Sequence, residues 1–294
     1  MKTYSDYLSG IFPGLKIQKI SIDAGFTCPN RDGTISTGGC IYCRNDSFSP
    51  GYCNPKLSVT HQLEEGKKFF SRKYPEMKYL AYFQSYTGTY NKSLQDLKAL
   101  YKEALSVEDV VGIVIATRPD SISADVIDLL SEINKEKPVF VEIGGETSHD
   151  STLKLINRNH TWRQLEETVK LIASKGLHCG VHLIAGLPGE TPEMILDTIK
   201  KISKLPIETI KLHQLQVLKD TELHRKIEKK EIEVPSFSLE EYLDLCVKIV
   251  KIVPENIVIE RFLSQSPPEM VVSPSWGLKN YQFITKLAQL LKTS

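Results

Sequence analysis

The stretch His178-Cys-Gly-Val-His-Leu-Ile-Ala-Gly-Leu-Pro-Gly-Glu-Thr-Pro192 combines a strand, a turn and a helix start. Its first half is a short, mostly apolar run, which predicts a strand over His178–Ile184. Gly186–Glu190 then supplies turn residues. Thr191 is a favourable N-cap, and Pro192 suits the first position of a helix. The stretch therefore predicts a strand followed closely by a helix, the repeating unit of a parallel α/β sheet.

The same alternation extends outward through most of the chain. The predicted strands are Lys16–Ile22, Tyr79–Gln84, Val111–Ala116, Val139–Ile143, His178–Ile184 and Thr209–Leu215. The predicted helices are Thr60–Lys73, Ser93–Leu105, Ala124–Asn134, Trp162–Lys175 and Pro192–Leu205. Ser123 is a predicted N-cap, and Gly176 a predicted helix C-terminus. About six units are too few for a closed eight-fold barrel, so we expect an α/β protein with a partial (β/α)6 barrel.

From about Pro235 the alternation stops. The remaining sequence predicts, in order, Leu239–Ile252 as a helix, Asn256–Glu260 as a strand, Ser264–Pro274 as a loop and Leu278–Leu291 as a helix. No repeat or long Pro/Gly-rich linker separates this part from the rest. We therefore expect residues 1–234 to form the barrel core and residues 235–294 to form an α+β extension packed on it.

Composition is that of an ordinary globular protein, with 41% hydrophobic and 25% charged residues among 294. The formal net charge of +1 does not indicate a nucleic-acid binder, although it leaves a local basic face open. No apolar run approaches the roughly 20 residues that cross a bilayer. The chain begins without an apolar signal segment, so we expect a cytoplasmic protein with no membrane partner.

Three cysteines lie in the Gly-rich loop Cys28-Pro-Asn-Arg-Asp-Gly-Thr-Ile-Ser-Thr-Gly-Gly-Cys40-Ile-Tyr-Cys43, after the first predicted strand. Because iron–sulfur clusters are usually held by four thiolates, a set of three suggests a cluster with one open iron. A zinc site is the second hypothesis, with Cys53 or His61 as fourth ligand. Inert buried thiols are the third. A disulfide is not expected in a reducing compartment.

Other motif-rich segments follow the later predicted strands. They are Ser85–Asn91, Thr117–Asp120, Gly144–His149 and Gly186–Glu190. Because the C-terminal ends of parallel strands meet at one edge, we expect these segments to lie near the cysteine loop. The sequence therefore predicts an enzyme site at that edge.

In this order and spacing, the motifs resemble the radical S-adenosylmethionine (radical SAM) superfamily. The chain is most similar there to the bacterial group related to the elongator catalytic subunit, which includes a tRNA wobble-uridine modification enzyme. The resemblance covers essentially the whole chain. It rests on Cys28-Pro-Asn-Arg-Asp-Gly, Gly39-Cys40-Ile-Tyr-Cys43, Tyr82-Phe-Gln84, Thr87-Gly-Thr-Tyr90, Ala116-Thr-Arg-Pro-Asp120, Ile156-Asn-Arg-Asn-His-Thr161, Leu183-Ile-Ala-Gly-Leu-Pro-Gly-Glu190, Lys211-Leu-His-Gln-Leu215 and Ser273-Pro-Ser-Trp-Gly-Leu-Lys279.

The sequence departs from the superfamily pattern at two places. The spacing Cys-x11-Cys-x2-Cys is longer than the usual Cys-x3-Cys-x2-Cys, although long spacings mark this group. In Gly144-Gly-Glu-Thr147, Glu146 stands where relatives often carry a neutral amide. A carboxylate there changes the charge and the donor pattern toward S-adenosylmethionine.

The resemblance implies that Cys28, Cys40 and Cys43 bind a [4Fe–4S] cluster whose fourth iron binds S-adenosylmethionine. Reductive cleavage of that cofactor would release a 5′-deoxyadenosyl radical. The resemblance also implies cofactor contacts, for adenine, amino group, carboxylate or ribose, from Tyr42, Gln84, Thr87, Gly88, Thr89, Glu146, Arg158, His182 and Leu187. Taken alone, Tyr42 also fits a core aromatic residue, and the Thr87-Gly-Thr89 stretch also fits a turn at a strand end. Arg158 also fits a solvated arginine, and His182 a core histidine. No catalytic acid or base is assigned.

The resemblance makes tRNA the leading substrate hypothesis, with conversion of carboxymethylaminomethyl to aminomethyl at C5 of wobble uridine. Tyr and Phe side chains near the barrel mouth would stack a base, and the tail lysines Lys248, Lys251, Lys279 and Lys286 would meet phosphates. A flavodoxin or ferredoxin would supply electrons. The alternatives are a radical SAM enzyme for a small metabolite and a non-catalytic zinc- or RNA-binding protein. Cys53 is a weaker candidate for a substrate-handling thiol.

Overall fold

The computed structural model describes residues 2–71 and 76–293. Within these residues, seven parallel strands form one curled sheet in the order β1-β2-β3-β4-β5-β6-β8, and β7 pairs with β9 in a small antiparallel ribbon. The strands are β1 (Lys16–Ile22), β2 (Met77–Phe83), β3 (Val110–Thr117), β4 (Val139–Glu146), β5 (His178–Ala185), β6 (Thr209–Gln214), β7 (Val217–Leu218), β8 (Val258–Arg261) and β9 (Val271–Ser273).

Most of the helices connect strands and cover the convex face of the sheet, whereas the first helix precedes β1 and lies on the concave side. The helices are α1 (Tyr4–Ile11), α2 (Val59–Ser71), α3 (Leu94–Ser106), α4 (Ala124–Asn134), α5 (Asp150–Leu155), α6 (Trp162–Ser174), α7 (Pro192–Ile202), α8 (Glu222–Glu228), α9 (Leu239–Ile252) and α10 (Asn280–Thr293), with short 3₁₀ turns at Asn45–Phe48 and Pro268–Met270. The predicted partial barrel is confirmed, and it has a seventh strand, β8.

Local sequence signals account for the helix ends. The side chains of Ser123 and Thr191 accept hydrogen bonds from the first turns of α4 and α7, as predicted. Gly176 follows the end of α6 with φ +71°, a conformation that costs glycine little. Each helix can therefore stop and start within the short loops that place the site residues.

Alternate residues of the strands face opposite sides of the sheet. Ile20, Phe83 and Ile113 belong to the large apolar core beneath the helices. On the concave side, Leu8 and Phe12 of α1 join a separate apolar cluster with Leu80, Tyr82, Val114, Ala116 and Phe140. Helix α1, which the sequence analysis did not predict, thus fills the lower part of the half-barrel.

The predicted strands and helices match the observed ones to within a few residues at their ends. The end of predicted Thr60–Lys73 lies outside the described residues. The prediction of a plain loop over Ser264–Pro274 is wrong, because Val271–Ser273 forms β9. The short elements α5, α8 and β7 were also not predicted, since two to seven residues carry too little periodicity.

The last part of the chain packs on the sheet and on itself. Strand β8 pairs with β6 in parallel, which makes it an edge of the main sheet. Helix α9 lies against α7 and α10. The Tyr242 ring contacts Trp276 and Phe283, with centroids 5.2 and 5.6 Å apart, and its hydroxyl donates to the carbonyl of Phe262 at 2.7 Å. Among the described residues, no helix is both long and apolar enough to span a bilayer.

Candidate active site

A cavity of ≈ 260 Å³ lies at the C-terminal edge of the sheet, where the sequence analysis placed the chemistry. The side chains of Cys28, Cys40 and Cys43 line it together. All six cysteines of the chain are free thiols. Residues in or after β2, β3, β4 and β6 complete the wall. Of the four predicted segments, Gly186–Glu190 does not line the cavity, although Leu187 belongs to an apolar cluster with Ile41 of the cysteine loop.

Backbone hydrogen bonds shape the cysteine loop. The amide of Arg31 donates to the carbonyl of Cys28 at 2.8 Å, and the amide of Cys43 donates to that of Cys40 at 2.9 Å. Gly39, at φ +83°, donates to the carbonyl of Asn30 and carries the loop through a left-handed turn. These tight turns hold the three thiols toward one cavity.

Two side chains point polar hydrogens at the buried sulfur of Cys40. Asn30 Nδ2 lies 3.6 Å and Arg158 Nη1 lies 3.9 Å from Cys40 Sγ. Burial opposes the charge of Arg158, but the neighbouring Glu146 and Cys40 raise its pKa. Hydrogen bonds and positive charge at a thiolate stabilise its ionised, metal-binding form.

The other predicted contact residues divide into two groups. Six of them line the cavity, and three, Gly88, Thr89 and Leu187, do not. A Cβ on Gly88 would lie 2.8 Å from the carbonyl oxygen of Ala116, so glycine is required for close packing against β3. Thr89 Oγ1 bonds Thr117 Oγ1 at 2.6 Å, and Leu187 is fully buried in an apolar cluster. The six that line the cavity are Tyr42, Gln84, Thr87, Glu146, Arg158 and His182.

Glu146 is the residue that departs from the superfamily pattern, and it has a partner. Its backbone adopts φ +61°, and its Oε1 lies 3.2 Å from Arg158 Nη2. The same nitrogen donates to the carbonyl of Gly144 at 2.7 Å. The carboxylate therefore orients the guanidinium that faces Cys40, while both side chains still line the cavity.

A layer of buried charged and polar side chains crosses the half-barrel between α1 and the cysteine-lined cavity. We call Lys19, Tyr82, Glu142, His182, Lys211 and Glu260 the ionic layer. Glu142 is at its centre: Lys19 Nζ lies 2.5 Å from Oε1, and Tyr82 Oη, His182 Nε2 and Lys211 Nζ lie 2.6, 2.6 and 3.1 Å from Oε2. Glu260 pairs with Lys19 at 2.9 Å and with Lys211 at 3.5 Å.

The ionic layer is electrically balanced. Burial acts to raise the pKa of Glu142, but Lys19 and Lys211 hold that pKa well below its usual range. Burial lowers the pKa of Lys211 and, with the nearby Lys211 charge, that of His182. Two ionised lysines thus face two ionised carboxylates, with His182 neutral. Paired in this way, charges can remain inside a protein.

Sequence analysis missed most of the ionic layer, although the sequence contains a signal for it. Glu142 interrupts the apolar run Val139–Ile143, and Lys211 lies between two apolar residues, whereas Lys19 lies in a strand with other polar residues and gives a weaker signal. Charged residues are almost never fully buried unless they are paired, so each of these positions indicates a partner on another strand. What the sequence could not supply is which strands lie close enough to pair.

Polar atoms that lack partners cluster around the cavity. Among the described residues, buried atoms with no hydrogen bond include Thr87 Oγ1, Arg118 Nη1, Arg158 Nε and Gln216 Oε1, and all four residues line the cavity. Buried polar groups are normally satisfied, so such a group of exceptions fits a bound polar ligand. The donor set of three thiols and these polar atoms fits a cluster with a nucleoside-type cofactor.

A single metal ion fits less well. Among the described residues, no three Cys, His, Asp or Glu side chains come close enough to hold one ion. A four-iron cluster places its thiolates on separate irons and does not require such convergence. Cys53 lies away from the cavity: its thiol donates to the carbonyl of Ser21 at 3.2 Å, and burial raises its pKa to about 12.

The sequence matches two known protein-domain families, which together cover most of its length. The Radical SAM superfamily matches residues 30–202, and the Radical SAM C-terminal domain matches residues 207–293. The protein YtqA of Bacillus subtilis (strain 168), described as uncharacterized, is 34% identical over 271 residues, which are 92% of this chain and 83% of that protein. The chain therefore belongs to the radical SAM superfamily, whose members use a [4Fe–4S] cluster and S-adenosylmethionine.

Two more distant similarities concern archaeal proteins. A tRNA uridine(34) acetyltransferase of Methanocaldococcus infernus is 25% identical over 185 residues, 62% of this chain and 33% of that protein. The structure of Methanocaldococcus infernus Elp3 with an N-terminal deletion superposes with a TM-score of 0.65 at 17% identity, over 95% of this chain. This chain spans 63% of that structure's chain, and the likeness confirms the fold.

Proposed function

We propose that this radical SAM enzyme acts on the C5 side chain of wobble uridine in tRNA and converts carboxymethylaminomethyl to aminomethyl. The observation that carries the proposal is a second cavity of ≈ 890 Å³, lined by β1 and β8 at the open side of the half-barrel. It shares Phe48, Tyr82 and Gln84 with the cysteine-lined cavity. A nucleotide of a large RNA can insert its base through this opening while the rest of the RNA remains outside.

We assign the cofactor contacts as follows. Cys28, Cys40 and Cys43 hold the cluster, and Arg158 and Thr87 orient S-adenosylmethionine through the polar atoms that lack protein partners. When bound, the cluster and S-adenosylmethionine would supply a 5′-deoxyadenosyl radical that removes a hydrogen atom from the glycine-derived methylene of the substrate. Loss of one further electron, back to the oxidised cluster, would give an imine, and water would hydrolyse its C=N bond to release glyoxylate and leave the aminomethyl group. A flavodoxin or ferredoxin reduces the cluster. Residues 1–234 form the working core, and residues 235–294 are its extension.

Aromatic side chains at the cavity mouth suit a nucleobase. Phe48 and Tyr86 line the cavity and are 41% and 40% exposed. Splayed bases of RNA stack on such rings. Lys248, Lys251, Lys279 and Lys286 lie exposed on or just before the last two helices, where a phosphate backbone can reach them. The similarity to a tRNA uridine(34) acetyltransferase supports the same substrate class.

The test begins with anaerobic reconstitution of the full chain with iron and sulfide. Dithionite and S-adenosylmethionine are added with tRNA that carries carboxymethylaminomethyluridine, or with the same tRNA transcribed without modification. Mass spectrometry measures 5′-deoxyadenosine and the nucleosides after digestion. We expect aminomethyluridine and extra 5′-deoxyadenosine only with the modified tRNA.

The other outcomes are equally informative. Formation of 5′-deoxyadenosine that is indifferent to tRNA would favour a small metabolite as substrate and overturn the tRNA proposal. Bound zinc, with no cluster and no 5′-deoxyadenosine, would contradict the cluster assignment and favour a non-catalytic protein. A Phe48→Ala variant gives the matched comparison, because stacking losses of about 1–3 kcal/mol per base should raise KM for tRNA.

A further inference from the structure

Arg261, at the meeting point of the two cavities, is a cation with no hydrogen bond or ion pair among the described residues. It is the last residue of strand β8 and is half-buried. Its side chain lines both the cysteine-lined cavity and the second cavity between β1 and β8. Within residues 2–71 and 76–293, its guanidinium forms no hydrogen bond or ion pair. A half-buried guanidinium with five donors normally finds an acceptor.

The other cations of the same cavity are compensated. Arg158 pairs with Glu146, Arg118 with Asp120, Lys211 with Glu142 and Arg44 with Asp46, at 3.2, 2.6, 3.1 and 3.1 Å. Arg31 faces the cysteine loop and donates to the carbonyl of Cys43 at 3.2 Å. Of the cations of this cavity in the described part of the chain, Arg261 is therefore the one that lacks an anionic or cysteine-loop partner.

The carboxylates nearest to Arg261 are already paired with other cations. The two carboxylates on this side, Glu142 and Glu260, are already bonded to Lys19 and Lys211. His213 also lines the cavity, and its Nδ1 donates to Ser264 Oγ at 3.3 Å, because that hydroxyl donates its own hydrogen to the carbonyl of Gln214 at 2.8 Å. Burial and the Arg261 charge lower the pKa of His213, so this ring is neutral near pH 7.

We infer that Arg261 forms a carboxylate-binding subsite for the substrate. The inference rests on the proposed function and adds to it the group by which the substrate is recognised. A guanidinium binds a carboxylate through two parallel hydrogen bonds. The carboxymethylaminomethyl side chain ends in a carboxylate, whereas its aminomethyl product does not, so the subsite binds substrate and releases product.

Position separates this subsite from the cofactor's own carboxylate. Arg158, which we assign to S-adenosylmethionine, lies against Cys40, on the loop that follows β1. Arg261 lies at the end of β8 and lines the second cavity, which Arg158 does not line. A substrate that enters from the side therefore meets Arg261 on its way to the cysteine loop.

The test compares acid and amide probes on the reconstituted full chain with S-adenosylmethionine present. The probes are 5-carboxymethylaminomethyluridine and N-benzylglycine, each against its primary amide, and binding is measured by titration calorimetry. Hydrogen bonds to charged groups contribute about 1.5–3 kcal/mol, so we expect each acid to bind about 10- to 100-fold tighter than its amide. In Arg261→Gln this preference should vanish, and in Arg261→Lys part of it should remain.

Arg163→Gln is the matched control, because Arg163 is exposed on α6, away from both cavities, and pairs with Glu167 at 2.8 Å. It should keep the full preference, and thermal unfolding checks that each variant folds. Equal binding of acid and amide by the wild type, or a preference that survives in Arg261→Gln, would overturn the subsite. If the preference depends on Arg261 but modified tRNA is not converted, the subsite stands and the tRNA proposal fails alone.

Discussion

The half-barrel contains two polar regions, one above the other. They differ in whether their buried polar groups have hydrogen-bond partners among the described residues. In the ionic layer, Glu142 contacts four partners from four strands. Around the cysteine loop, Thr87 and Arg158 keep buried polar atoms that have no hydrogen-bond partner in the described part of the chain. A network whose groups are all hydrogen-bonded stabilises the fold by linking strands. Buried polar groups without protein partners are instead available to bind a ligand.

Strand β4 contains both regions within a few residues. Its alternate side chains on the concave face are Phe140, packed on α1, then Glu142 of the ionic layer, then Gly144 at the cavity. A Cβ at Gly144 would collide with the guanidinium of Arg158. Along β4, Phe140 therefore belongs to the apolar cluster with α1, Glu142 to the ionic layer, and Gly144 to the wall of the cysteine-lined cavity.

The largest effect should come from the upper region. Cys40→Ala removes one of three thiolates, so we expect reconstituted iron and the cluster absorbance to be lost, and 5′-deoxyadenosine formation to fall to the level without protein. Iron analysis and mass spectrometry measure this. Cys53→Ala, outside the cavity, is the control and should keep both. A full cluster in the Cys40 variant would refute the assignment.

The ionic layer should respond through stability. Glu142→Gln leaves Lys19 and Lys211 buried without their main partner, and breaking a buried pair in this way costs about 3–5 kcal/mol of unfolding free energy. Urea unfolding of the apoprotein gives the value. Glu132→Gln breaks the exposed pair with Lys135 and should cost at most about 1 kcal/mol. Equal losses for the two variants would contradict the role of the layer.

Acid should weaken the ionic layer selectively. The pKa values of Glu142 and Glu260 are lowered in the folded protein, against the effect of burial, by Lys19 and Lys211. Their contribution is therefore present above the unfolded value of about 4.3 and is lost as pH falls through the folded values. As the pH is lowered from 6, the free energy of unfolding should fall more steeply in the wild type than in Glu142→Gln. Parallel curves would mean that these carboxylates do not contribute.

The smallest effect should distinguish two neighbouring threonines. Thr87 Oγ1 has no partner among the described residues, so Thr87→Val should leave stability unchanged or slightly raised while it weakens S-adenosylmethionine binding about 2- to 10-fold. Thr89 Oγ1 bonds Thr117 and the carbonyl of Ser121, so Thr89→Val should cost about 1–3 kcal/mol of stability. Calorimetric titration and urea unfolding measure the two quantities. The reverse pattern would exclude Thr87 as a cofactor contact.

Local patterns in the sequence were sufficient for the barrel, but not for what its strands hold between them. Apolar runs and caps such as Thr191 identify strands and helices because both depend on near neighbours. Strand β8 was predicted as part of an extension, because some forty residues separate it from β6, with which it pairs. The partners of Glu142 and the isolation of Arg261 depend on that non-local pairing, so the sequence did not predict them.

Among the described elements, helix α1 comes first along the chain, yet its contacts form only after much of the sheet has been synthesised. Leu8 and Phe12 pack on residues of β2, β3 and β4, and Tyr7 donates a hydrogen bond to Glu208, 201 positions further along the chain. A nascent chain must therefore extend beyond β5 before this contact can form. Contacts over such separations slow folding, and the apolar face of α1 stays exposed to solvent until they form.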